Sequence, residues 1–220
     1  MQHLTNVSVV GVNKYLYKYM EYTINGILNV KQTNNTYNVK LINSGVGIEQ
    51  DKIVNAFQRT IDEVLGGEPI YEFVRLKLKN DFTYQDGENI AKHMTVLLNH
   101  LLLEGYALYS LSIEDIYVIN NSKYLFTNPQ RCVPVTPAKR IVKSPHNTHG
   151  EFIAPELVDL QPKIPIDRAV SNWCIGALLM HLLFKTKEET KLEVIKETSL
   201  YYFIKRCLDK NVELREVLYM

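Results

Sequence analysis

The sequence predicts an α+β protein, with a small antiparallel sheet region first and a larger helical region after it. Residues 4–43 are rich in β-branched and aromatic side chains, which favour strands. Two later stretches repeat apolar residues at helical spacing, and a third is apolar on nearly every side. Because strands and helices scarcely alternate along the chain, the order is typical of an α+β fold.

The N-terminal segment is expected to form a meander. Its strand-like stretches are 7–10, 15–22, 27–30 and 36–42. Asn25-Gly26 and Asn34-Asn35 separate the later stretches and favour tight turns.

Two amphipathic helices are predicted next, over 49–65 and 87–104. Apolar residues recur on one face of each, and glycines at 66–67 and 105 end them. Between them lies a short apolar run, 70–78. After the second helix, two extended pieces at 115–119 and 123–126 flank a turn, and residues 129–150 are expected to be irregular.

A helix from about 168 to 184 has almost no polar face, which indicates a central buried helix. Asp167 is its natural N-cap, and the run is too short to cross a bilayer. Two further helices, 187–197 and 199–209, are predicted to close the chain.

Composition is that of an ordinary globular protein, with 46% hydrophobic residues and a net charge of +1. That balance gives no reason to expect nucleic-acid or membrane binding. Neither a secretory leader nor a transmembrane stretch is evident. Three well-separated cysteines (Cys132, Cys174, Cys207) predict reduced thiols, so an intracellular protein, cytoplasmic or nuclear, is expected.

Three strings in the second half resemble a eukaryotic-type protein kinase domain. GEFIAPEL (150–157) is similar to the end of a kinase activation segment, with its Ala-Pro-Glu. AVSNWCIGALLMHLL (169–183) resembles the buried central helix of the family, and RCLDKNVELR (206–215) its closing motif. The resemblance implies a kinase-like fold with a reduced N-terminal lobe (1–78) and a helical C-terminal lobe (79–220). It also implies a partly buried ion pair between Glu156 and Arg215.

In the first lobe, NGILNVKQTNNTYNVKLI (25–42) resembles the second and third kinase strands. Lys40 then matches the lysine that holds the nucleotide phosphates, and Gly26 is the one remaining glycine of the phosphate loop. Both are expected to be vestiges of a nucleotide site. Thr60 stands where the family has the carboxylate partner of that lysine.

The positions that carry chemistry in the family are degenerate. Leu108-Tyr109-Ser110 stands in place of His-Arg-Asp, so Ser110 replaces the catalytic carboxylate. Asp115 replaces a metal-binding Asn, and Thr127 replaces the Asp of Asp-Phe-Gly. Ser171 replaces the Asp that supports the catalytic loop from the central helix. We expect no catalytic residues and no metal site.

The resemblance therefore implies a pseudokinase that acts by protein binding or by regulating a kinase pathway, with a protein partner such as another kinase and with no cofactor. The alternative is an atypical active Ser/Thr kinase that binds ATP and Mg²⁺ through Lys40 with Asp115 or Glu114. A degenerate domain without a partner also stays open. Partner, oligomeric state and pathway are not evident from the sequence.

Other candidate sites are weaker. His146 and His149 have too few neighbouring ligands for zinc. Lys139, Arg140 and Lys143 form a small basic cluster that is expected to be solvated, with docking of an acidic partner as the alternative.

Overall fold

The protein was analysed as a computed structural model. It describes residues 20–25, 28–33, 35–42, 48–77, 82–135, 152–158, 167–186 and 188–215. Gly26, the strand expected at 7–10, and the loop residues His146, His149, Lys139, Arg140 and Lys143 lie outside these ranges.

The fold is α+β, as predicted, with several small antiparallel sheets and several helices. Its strands are β1 (Met20–Ile24), β2 (Leu28–Thr33), β3 (Thr36–Leu41), β4 (Phe73–Arg75), β5 (Tyr106–Leu108), β6 (Ser110–Leu111), β7 (Ile116–Ile119), β8 (Lys123–Phe126), β9 (Cys132–Pro134) and β10 (Phe152–Ile153). Its α-helices are α1 (Ile48–Leu65), α2 (Tyr84–Leu103), α3 (Pro155–Val158), α4 (Arg168–Phe184) and α5 (Ser199–Cys207). Short 3₁₀ turns lie at Ile113–Asp115, Pro129–Arg131, Glu189–Ile195 and Val212–Leu214.

The predicted meander is confirmed over the described strands, which pair in the order β1-β2-β3. A second sheet has the order β4-β7-β8, and an isolated bridge pairs Tyr37 of β3 with Ile70, three residues before β4. Asn120 and Asn121 both have positive φ, as a tight hairpin turn between β7 and β8 requires.

The central helix α4 has the predicted bounds, and the Asp167 side chain caps it by accepting from the backbone N–H of Ala169. Around it α2, α5, β5, β6 and β10 pack directly. Helix α2 begins three residues before the prediction because Thr83 and Asp86 form a capping box.

Two expectations about local structure were wrong. The segment expected to be irregular contains, over its described residues, the 3₁₀ turn Pro129–Arg131 and then β9, which pairs with β5. Likewise β6 pairs with β10, and neither pairing was expected. The helix expected at 187–197 is a 3₁₀ helix over Glu189–Ile195, whose N-cap residue Glu188 makes no side-chain cap.

Two apolar clusters form the core. The larger surrounds α2 and α4 and also takes in Ile53, Phe57 and Leu76 from the first part of the chain. The smaller, called the sheet cluster here, joins the two sheets and α1; its members are Ile24, Leu28, Val30, Ile61, Ile70, Phe73, Tyr117, Ile119 and Leu125. Both clusters therefore cross the lobe boundary expected at residue 78.

Candidate functional site

The three degenerate catalytic positions of the kinase resemblance come together in the structure. Ser110 is in β6, Asp115 ends the 3₁₀ turn that leads into β7, and Thr127 directly follows β8. All three are buried, with exposed fractions of 0%, 6% and 0%. The site is thus an interior cluster of polar groups, whose partners determine what it can do.

The Asp115 carboxylate is bound on both oxygens. Asn128 Nδ2 donates to Oδ1 at 2.9 Å, and Arg131 Nε donates to Oδ2 in an ion pair. Arg131 also donates through Nη1 to Ser110 Oγ at 3.1 Å. Because a buried carboxylate requires a compensating charge, Arg131 fills the role that a bound cation has in a metal site.

Arg131 and Asn128 were missed by the sequence analysis. Asn128 Oδ1 accepts from the backbone N–H of Gln130, and Pro129 begins the 3₁₀ turn that carries Arg131. An Asn cap followed by Pro at the first helical position is a recognisable helix-start signal. That signal was available, but the partner of Arg131 lies sixteen residues away and is set by the tertiary fold.

Thr127 uses every polar atom it has. Its backbone N–H and its hydroxyl both donate to the carbonyl of Asp115, at 2.9 and 3.0 Å. Its carbonyl and hydroxyl oxygens both accept from Asn25 Nδ2, each at 3.1 Å. Ser110, Asp115, Thr127, Asn128 and Arg131 therefore form one connected set, called the Asp115 network here.

Ser171 supports the backbone at Leu108, the end of β5, although it has no carboxylate. Its hydroxyl accepts from the N–H of Leu108 and donates to the carbonyl of Leu108, both at 2.9 Å. The sequence analysis treated this substitution as the loss of a support. The structure corrects that interpretation: a neutral hydroxyl from α4 satisfies both backbone groups of the residue that stands in place of the catalytic histidine.

Glu156 and Arg215, the ion pair that the resemblance implies, are in contact. Arg215 binds the carboxylate in a bidentate manner, with its Nη2 at 3.1 Å from Oε2. The side chains are 7% and 1% exposed, so the pair is almost fully buried. Asn172 Nδ2 on α4 donates to the Arg215 carbonyl, which attaches the end of the described chain to the central helix.

Lys40 is not placed with the Asp115 network. It lies on the outer face of the first sheet, where it lines a cavity of about 450 Å³ with Glu21, Asn29, Lys31, Thr33 and Asn38. On β3 the side chains that pack against the sheet cluster are those of Tyr37, Val39 and Leu41. Since side chains alternate along a strand, Leu41 faces inward and its neighbour Lys40, which the resemblance matches to the phosphate-binding lysine, faces outward. This position argues against the expected role of Lys40 in a nucleotide site.

Thr60, expected in place of the lysine's carboxylate partner, is buried and bonded to other groups. It donates to the Ala56 carbonyl at 2.8 Å and lies 3.1 Å from His100 Nδ1. His100 Nε2 in turn lies 3.2 Å from Glu63, so it has an acidic partner that the sequence analysis did not find. These contacts hold α1 against α2.

The space between the first sheet and the β7–β8 hairpin is apolar. Ile24, Leu28 and Val30 of the first hairpin share the sheet cluster with Tyr117 and Ile119 of β7. Leu28 and Val30 are completely buried there. The first hairpin and β7 are therefore in direct side-chain contact, with apolar groups between them.

The cysteine thiols are the remaining nucleophilic groups of the described residues. All three cysteines are buried and reduced, and burial raises the pKa of Cys174 to about 12, which leaves it unreactive. Among the described residues, no group of three or more His, Cys, Asp or Glu side chains is arranged to hold a metal ion. Within the same part of the chain, no helix has the length and apolar character needed to cross a membrane.

Comparison with known protein families gives no match for this chain. A search of curated proteins likewise finds no similar sequence.

Proposed function

We propose that this chain is a catalytically inactive protein kinase-like protein that acts by binding another protein, with a kinase or a kinase substrate as the first partners to test. The kinase-like order of its motifs supports the family, and the ion pair between Glu156 and Arg215 is consistent with it.

The observation that carries the proposal is that other side chains of the protein already bind the Asp115 carboxylate. This is the one carboxylate at the degenerate catalytic positions, and Asn128 and Arg131 bind both of its oxygens. Phosphoryl transfer needs carboxylates that hold Mg²⁺ and orient the acceptor hydroxyl. Ser110 and Thr127 cannot supply either function, and Arg131 already neutralises Asp115.

The alternative of an atypical active kinase needs Lys40 to cooperate with Asp115 or Glu114. Lys40 lies on the outer face of the first sheet, whereas Asp115 is buried beneath Thr127 and Arg131. We therefore favour the binding function over the enzymatic one.

A phosphate-transfer assay tests the proposal. Purified wild type, Lys40→Ala and Asp115→Asn are incubated with labelled ATP, Mg²⁺ or Mn²⁺, and a generic acceptor protein. We expect label incorporation equal to the protein-free blank in all three samples. Incorporation by wild type that is lost in either variant would overturn the proposal and favour the atypical kinase.

A direct binding assay tests the claim that the protein binds another protein. Candidate protein kinases and their substrates are titrated, one at a time, against the immobilised full chain. Saturable binding by at least one supports the proposal, and the absence of binding across the set favours a domain without a partner.

A further inference from the structure

We infer that Asn25 is a latch that holds the first β-hairpin closed over the Asp115 network. Asn25 lies in the turn between β1 and β2, 102 residues away from its bonding partner Thr127. The inference concerns the conformational behaviour of the fold and goes beyond the proposed binding function.

The latch is built from complementary donors and acceptors. One amide nitrogen, Asn25 Nδ2, donates to both oxygens of Thr127. The backbone carbonyl oxygen is an acceptor in any case, and the hydroxyl oxygen can accept because its own hydrogen is donated to the Asp115 carbonyl. An amide is required at position 25, since a carboxylate of the same shape has no hydrogen to donate.

The backbone conformation at position 25 also favours asparagine. Asn25 has φ of 50°, in the left-handed region that Asn tolerates better than most residues. Its neighbours Ile24 and Leu28 pair across the turn and insert into the sheet cluster. The residue itself is exposed, so solvent reaches the latch from one side, while Thr127 is completely buried.

The latch is weak compared with the fold as a whole. It consists of two neutral hydrogen bonds, whereas the sheet beneath it is held by the ladder between β7 and β8 and by the buried ion pair of Asp115 and Arg131. Segments that are held by few contacts open without global unfolding. Opening of the hairpin end therefore requires Asn25 to release Thr127 and requires Ile24 and Leu28 to leave the sheet cluster. It uncovers Thr127 and the Asp115 network, while the helical core stays folded.

Hydrogen exchange measured by mass spectrometry on the full chain tests the latch. Asn25→Asp keeps the shape and the tolerance for positive φ, but it turns two attractive contacts into repulsive ones. We expect exchange in residues 20–33 to rise by about 5- to 30-fold, the factor that corresponds to the loss of one or two kcal/mol. Exchange in α4 is expected to stay unchanged.

Asn35→Asp is the matched control, since it makes the same substitution in the neighbouring turn, where Asn35 is exposed. It is expected to leave exchange in residues 20–33 within twofold of wild type, on the order expected for a neutral surface change. Asn25→Gly serves as a second variant, because glycine accepts the positive φ and removes the amide without adding charge. It should produce a smaller rise in the same segment.

Two results would overturn the inference. One is exchange in residues 20–33 that is the same in both Asn25 variants as in Asn35→Asp. The other is a rise that extends equally through α4, which would mean that Asn25 contributes to global stability and is not a local latch.

Discussion

At the scale of single residues, the environment of Asp115 decides the chemistry of this interior. A buried carboxylate is stabilised by either a cation or a set of donors, and here Arg131 and Asn128 supply both. The same principle applies at Ser171, where a hydroxyl replaces an expected carboxylate. At both sites the buried polar groups find their partners within the protein, and neither site carries a net charge.

Ser171 gives a direct test of that principle. Ser171→Ala leaves the N–H and C=O of Leu108 without their partner in a fully buried place, so we expect a loss of about 2 kcal/mol in the free energy of unfolding. Ser171→Asp should cost at least as much, because an ionised carboxylate cannot donate to the Leu108 carbonyl. Urea unfolding measures both.

The control for these variants is Ser122→Ala, an exposed serine in the β7–β8 turn, which should change stability by less than about 0.5 kcal/mol. A Ser171→Asp protein that is more stable than wild type would show that the site still prefers a carboxylate.

His93 predicts a pH dependence. Burial, together with Lys92 and Lys123, lowers the pKa of His93 to about 4, and the neutral ring accepts the Tyr124 N–H through Nδ1. The unfolded chain takes up this proton near pH 6.5, before the folded protein does. Stability from this group is therefore complete above pH 6.5 and falls as the pH decreases toward 4.

The measurement compares wild type with His93→Asn, which keeps an acceptor near the Nδ1 position and does not titrate. Between pH 7 and pH 5, urea unfolding should show wild type losing about 2 kcal/mol more than the variant. Parallel pH profiles for the two proteins would contradict a buried, neutral His93.

At the scale of elements, local sequence signals predict the long helices α1, α2 and α4 and fail for the short strand pairs and for the 3₁₀ helix Glu189–Ile195. Helix α4 could be predicted because Asp167 caps it and its apolar character is continuous. The pairings of β5 with β9 and of β6 with β10 involve two or three residues each, which is too short to show a period. The tertiary fold creates them.

In strand β3 the sequence predicted the strand but did not determine which of its faces each side chain occupies. Its existence was predicted correctly, but the resemblance matched Lys40 to a phosphate-binding lysine, whereas the structure places Lys40 on the outer face of the sheet. Because side chains alternate on a strand, an error of one residue reverses the face of every side chain. The burial of Leu41 against both clusters then decides which face is interior.

Close packing between α4 and α5 predicts the effect of a single methyl group. A Cβ at Gly176 would lie 2.6 Å from Cys207 Cβ, and 3.1 Å from Leu208 Cγ. The first atom is fixed to the backbone of α5, so Gly176→Ala should destabilise the protein by about 2 kcal/mol and lower Tm by roughly 4–8 °C.

Gly87→Ala on α2 is the matched control. The Cβ there would meet only the ends of the leucine side chains Leu200 and Leu183, which can rotate away. Since alanine also favours a helix over glycine, we expect a change within about 1 kcal/mol. A Tm for Gly176→Ala equal to that of Gly87→Ala would show that α4 and α5 are not in such close contact.

At the scale of the whole molecule, the two apolar clusters join the parts that the sequence analysis assigned to separate lobes. The sheet cluster places the first hairpin directly on β7, and the larger cluster places α1 and Leu76 on the helical core. Sequence patterns identified most of these elements, but they did not show that the first hairpin and β7 would be in direct contact. Contact between remote segments depends on side-chain volume, which periodicity does not encode.

The central claim is that apolar side chains fill the space between the first sheet and β7 and that Asn128 and Arg131 already bind the Asp115 carboxylate, so we expect no ATP binding. A thermal-shift titration of the full chain with ATP and Mg²⁺ tests it most directly, because a ligand that binds only the native state must raise Tm. We predict no change in Tm up to millimolar ATP, for wild type and Lys40→Ala alike. A saturable, Mg²⁺-dependent rise in Tm for wild type would contradict the account.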